Sequence, residues 1–167
     1  MSEGRLEELK RRFWEGWEKI LRAPGGPERV ARGIGAGAFA AMMPAFGLHL
    51  ALAAGLAFLL RGSMTAAGAT CLLLGNPLTH ALLIPTEYEI GRTVLQHEMH
   101  HHASPGASFS HWLSLGLPAL EELLLGGVVI GIPVGVAAWL LARQILLRRA
   151  AAEAAGRAAG GARRDVA

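Results

Sequence analysis

Two stretches of this chain carry no charged side chain, residues 33–60 and residues 62–86, and only Arg61 stands between them. A soluble domain rarely runs so far without charge, because about a quarter of its residues are Asp, Glu, Lys or Arg. Here charged residues are 17% and apolar residues 52% of the 167, and mean hydropathy is +0.36. The cations are pushed to the ends. Of 16 Lys and Arg, eight lie in residues 1–32 and six in residues 143–167, which leaves Arg61 and Arg92. Basic flanks around apolar segments are what the positive-inside rule produces. The pI near 9.7 therefore reflects topology, and no helix-turn-helix or aromatic–basic platform points to nucleic acid. These features rule out an ordinary soluble enzyme and a disordered chain. They predict an all-α, multi-pass integral membrane protein.

The apolar segments are broken. As one helix, residues 33–60 would run about 42 Å, longer than the ~30 Å hydrocarbon core. Pro44 and Gly47 interrupt this segment near its middle, where proline removes a backbone donor and clashes with the preceding turn. Residues 63–85 repeat the design: Gly75-Asn76-Pro77 interrupts them, and Pro85 is expected to end the helix before Glu87. Either segment is a kinked span or a re-entrant hairpin. Residues 123–147 read as a regular carboxy-terminal transmembrane helix, with Trp139 suited to an interfacial belt. Between these parts, residues 86–122 form a polar stretch that holds five of the seven His and five Glu.

Outside the membrane unit of residues 25–147, the two ends differ. Residues 5–22 place Leu6, Leu9, Phe13, Trp17 and Ile20 at helical spacing opposite Lys, Arg and Glu, an amphipathic helix fit to lie in the headgroup plane. It falls within an interfacial unit, residues 1–24, without the h-region of a signal peptide. Residues 148–167 form a basic, low-complexity, solvated tail. With both ends basic, both termini are expected in the cytoplasm of a bacterial inner-membrane protein, and the number of crossings should be even. One re-entrant segment and one crossing segment repair that parity and place residues 86–122 outside.

Broken membrane helices expose backbone N–H and C=O groups that survive only inside protein or beside water. Paired Gly/Pro-broken segments point to a solute site. The candidate substrate-binding side chains are His49, Asn76, Thr79 and His80, with Arg61 as a fixed charge, and the broken-helix backbone is Pro44, Gly47, Gly75 and Pro77. The opposing reading makes each proline a tolerated kink and each polar group helix–helix glue. Gly33, Gly35, Gly37, Gly126, Gly127, Gly131 and Gly135 include small-xxx-small spacings, a packing signal. Cys71, alone in an apolar run, is a packing residue. His97-Glu98-Met99-His100-His101 matches the zinc motif H-E-x-x-H. Four His in residues 97–102 make an accidental match easy, and Ser104-Pro105-Gly106 would end the helix. No metal, no cofactor and no enzymatic activity are assigned.

The residues also resemble a known family, the bacterial membrane proteins of domain of unknown function 2062. Pro27, Val30, Ala31 and Gly33 match its lead-in, Pro44, Gly47 and His49 its second element, Arg61 its third, and Asn76, Pro77 and Thr79 its Asn-Pro-x-Thr, with Tyr88 and Gly91 closing the pattern over residues 25–145. Ser63 stands where the family often has Asn. The resemblance implies a small multi-pass membrane protein without an established activity.

The leading functional reading is a permease- or channel-like protein for a lipid-linked or anionic solute, embedded among membrane lipids and assembled as a homo-oligomer, since a chain this short hardly encloses a pathway alone. The alternative is an adaptor that recruits a partner or anionic lipid through the amphipathic helix and basic tail.

Overall fold

The computed structural model describes residues 7, 8, 11, 15, 25–44, 47–95 and 109–164. The described residues form five helices and no strand. They are α1 (Gly26–Ala41), α2 (His49–Leu59), α3 (Met64–Leu74), α4 (Pro77–Leu95) and α5 (Phe109–Arg164). Of the amphipathic amino-terminal segment, residues 7, 8, 11 and 15 are helical, with Arg11 Nε 3.7 Å from Glu15. The rest of it, and the His97–His102 cluster, lie outside the described residues.

Helix α1 is the centre of the fold. It starts behind Gly25 at φ 108°, with Pro27 in its first turn, a position where the missing N–H of proline costs nothing. Ten of its 16 residues are buried, nearly all Gly or Ala. Gly33 and Gly37, one turn apart, press on the backbone of Ser63 and Ala67 of the α3 side, while Gly35 meets Gly135 and Trp139 of α5. Gly127, Gly131 and Gly135 continue the α5 seam against Met42, Pro44 and Phe39. Small residues on facing ridges let helices touch through their backbones.

Chain direction follows from these contacts. After α1 the chain turns back at Pro44, since Arg32 Nη1 near the start of α1 donates to Leu60 O at the end of α2, 3.0 Å. Helix α2 closes with a Schellman motif: Arg61 N donates to Phe58 O at 3.0 Å and Gly62 N to Ala57 O at 2.7 Å, with Arg61 at φ 51° in the left-handed slot that usually takes glycine. Ser63 then caps α3, its Oγ accepting from Ala66 N at 3.3 Å, and its own N–H reaches Arg29 O at 2.9 Å. Serine is a favoured N-cap because its hydroxyl oxygen satisfies one of the free N–H groups of the first turn. Helix α5 runs antiparallel to α1, with Glu28 and Arg143 paired at 2.7 Å.

Size is distributed inside out. The interior is Ala, Gly and Cys71, whereas Phe58 (70%), Leu59 (78%), Leu78 (77%) and many α5 leucines and valines are exposed. Residues Ala119–Arg157 of α5 form the one described helix long and apolar enough to cross a membrane, and α3 with Leu78–Leu95 would count as a second span if a bend of 86° is allowed within it.

One expectation changes. Pro85 does not end its helix: α4 runs from Pro77 to Leu95 through it, and Thr86 Oγ1 adds a bond to Leu82 O at 3.0 Å beside the ring. Within the described part of residues 86–122, α4 and α5 pack together and bury Glu87 and Glu122 completely. Trp139 is half-buried, packed on Gly35 with its Nε1 buried. The basic tail continues α5 to Arg164, exposed over residues 151–157.

Candidate functional site

The two breaks come together, and two different local codes make them. At the first, Pro44 cannot donate and biases Met43 away from the helical region, so α1 finishes with Met42 N on Phe39 O (3.0 Å) and Met43 N on Ala40 O (3.3 Å). Gly47 follows at φ 81° with open space around it, a left-handed conformation that costs other L-residues about 1–2 kcal/mol. At the second, Gly75 N bonds Cys71 O at 2.7 Å and Gly75 rests on Ala41, next to the first break. Asn76 is the N-cap of α4, its Oδ1 accepting from Thr79 N at 3.0 Å, while its Nδ2 donates back to Leu73 O at 3.4 Å. Asn-Pro-x-Thr is thus a cap, a proline at the first helical position and the capped residue.

His49 and His80, one residue from each broken segment, meet across the gap with Nε2···Nε2 of 3.0 Å, ring centroids 4.9 Å apart and planes at 83°. The hydrogen between them can be placed. His80 Nδ1 lies 3.3 Å from Asn76 O, a carbonyl that only accepts, so it carries a hydrogen. A neutral His80 then presents a bare Nε2, and His49 Nε2–H donates to it. The pair tolerates one such proton and no second, because two facing N–H groups would repel.

Arg61 is not part of this cluster. It caps the far end of α2, about 16 Å away along an 11-residue helix, next to Leu60, whose carbonyl Arg32 bonds. An apolar groove of about 430 Å³ opens at that end between α1, α2 and α5, lined by Arg32, Phe39, Leu56, Leu60 and Trp139 among others.

One constellation has no counterpart in the motif reading. Helices α4 and α5 cross so closely that a Cβ on Gly91 would strike Glu122 O, and a Cβ on Gly126 would strike Glu87 O. Each helix contributes Glu-x-x-x-Gly, Glu87 with Gly91 and Glu122 with Gly126, and each glycine sits on the other helix's glutamate. Both glutamates have no exposed surface, and the Tyr88 hydroxyl hydrogen-bonds Glu122. The repeated spacing was the available sequence signal. Among the described residues no group of three or more His, Cys, Asp or Glu is placed to hold a metal ion.

The family described as Uncharacterized protein conserved in bacteria (DUF2062) matches residues 10–154. The chain belongs to it. No curated protein and no solved structure matches the chain. Within this DUF2062 protein, Pro44, Gly47, Asn76 and Pro77 build the two breaks, His49 meets His80 across them, and Gly91 lies at the α4–α5 crossing.

Proposed function

We propose that this DUF2062 protein is a small multi-pass permease- or channel-like protein of the bacterial inner membrane, with its solute site where the two breaks meet. The observation that carries this reading is the His49–His80 contact of 3.0 Å between separate broken segments. The amino-terminal ends of α2 and α4 lie at the same place, and their free N–H groups and dipoles favour negative charge, which supports an anionic or lipid-linked solute. His49 and His80 are its hydrogen-bonding groups; Asn76, occupied by two helix ends, positions them.

The large exposed apolar side chains and the small buried ones support burial in lipid, where helices associate by close packing. In the topology that fits, α1 and α2 re-enter and leave on one side, α3 with α4 crosses once, and α5 returns. Both termini, with Arg29, Arg32, Arg61, Arg143 and Arg148, are then cytoplasmic, as the positive-inside rule requires. A homo-oligomer encloses the pathway.

Reconstitution of the full chain in anionic-lipid vesicles tests this with two probes, entrapped inorganic phosphate and a short-chain fluorescent phospholipid moving between leaflets. One probe should move faster than in protein-free vesicles and slow to that background when His49→Leu and Asn76→Leu are combined. Equal rates in the wild type and the double variant contradict the assignment.

A further inference from the structure

Among the described residues, neither oxygen of Glu87 meets a hydrogen-bond donor, although the residue has no exposed surface. A bare carboxylate in such a place costs several kcal/mol, so it must be matched by a cation or neutralised by a proton. The charged and titratable neighbours are few. On α4 itself, Arg92 is committed to Glu89 at 2.7 Å on the open face, Tyr88 is bonded to Glu122, and His80 is within electrostatic reach of Glu87. On α5, Glu122 faces the crossing and Glu121 is exposed. His49 of α2 joins only through His80. Among the described residues, none places a cation against Glu87, and the second carboxyl group at the crossing adds like charge.

We infer that Glu87 holds a proton in this packed conformation, so that the paired Glu-x-x-x-Gly crossing is a proton-binding site. The reciprocal glycines make the site: with the backbones in contact, neither water nor a lysine or arginine side chain fits between the helices to neutralise Glu87 instead. Release breaks one O–H bond, leaves a carboxylate and passes the proton to water once the helices separate, with no electron transferred. The carboxylate so created lies within electrostatic reach of His80, which ties the crossing to the breaks. On the permease reading, on which this last step rests, the proton is the coupling ion.

Two readouts need no solute. Infrared spectra of the full chain in bilayers at neutral pH should contain the carbonyl absorption of a neutral carboxylic acid, which Glu87→Gln removes and Glu89→Gln, on the exposed face, keeps. Unfolding by SDS in mixed micelles should follow the linkage sign: the folded state keeps a proton that the unfolded state has released, so stability falls as pH rises. The unfolding constant should rise by up to about tenfold per pH unit for one proton, and Glu87→Gln should flatten that slope. A spectrum without the neutral-acid absorption, an absorption unchanged in Glu87→Gln, or a wild-type stability that climbs with pH overturns the inference. Absent flux with the acid absorption present would overturn the permease reading alone.

Discussion

Gly33 and Gly37 on α1, and Gly91 and Gly126 on α4 and α5, do the same mechanical work: each removes a side chain so that a neighbouring backbone can take its place. What they enclose differs. The α1 seam closes over alanines, Val30 and Cys71, with two neutral groups, the Thr70 hydroxyl and the Trp139 indole nitrogen, left without a hydrogen-bond partner among the described residues. The α4–α5 crossing closes over two carboxyl groups, of which Glu87 has no hydrogen-bond partner among the described residues. Close packing by glycine is therefore neutral about function; the residue that the glycine faces decides whether the seam is a weld or a site.

The largest effect should come from adding methyl groups at these seams. Gly91→Ala or Gly126→Ala drives a Cβ into a carbonyl, as does Gly37→Ala, and each should lose about 1–3 kcal/mol, the range for overpacking. The comparison sharpens in the second readout: at the crossing the pH dependence of stability should also shrink, because separated helices admit water to Glu87, whereas Gly37→Ala should leave it intact. Equal pH behaviour of the two sets would remove the distinction. A smaller change, of opposite sign, is expected at Arg61, held at φ 51°. Arg61→Gly should raise stability by about 1 kcal/mol and leave flux through the histidine site unchanged. Smallest is the partly exposed Glu28–Arg143 pair at 2.7 Å, where Glu28→Gln should cost under about 1 kcal/mol, read by the same SDS titration.

Much of the frame was legible in the chain itself. Charge-free runs, Pro44, and Gly75-Asn76-Pro77 locate the breaks, because a missing N–H and a cap signature act within a few residues of sequence. The pairing of His49 with His80 needed the chain reversal at Pro44 and the bend at Asn76 together, which no local pattern encodes. Arg61 seemed to belong with them only because it lies at a segment junction; the length of α2 separates them. Pro85 misled because a proline inside a packed helix can be carried by its tertiary neighbours, here α5. Glu87 and Glu122 were hidden in a stretch whose composition is polar, since burial there depends on glycines that find their partners about 35 residues away in sequence.

The contact between the two breaks is open to direct observation by nuclear magnetic resonance of ring-labelled histidine, in full-length protein in bilayers with His97, His100, His101, His102 and His111 replaced by Gln. The account predicts one protonated and one bare Nε2 that share a scalar coupling through the hydrogen bond, lost in His49→Leu. Two histidines with no nitrogen–nitrogen coupling, each unaffected by replacement of the other, would show that the broken segments do not meet.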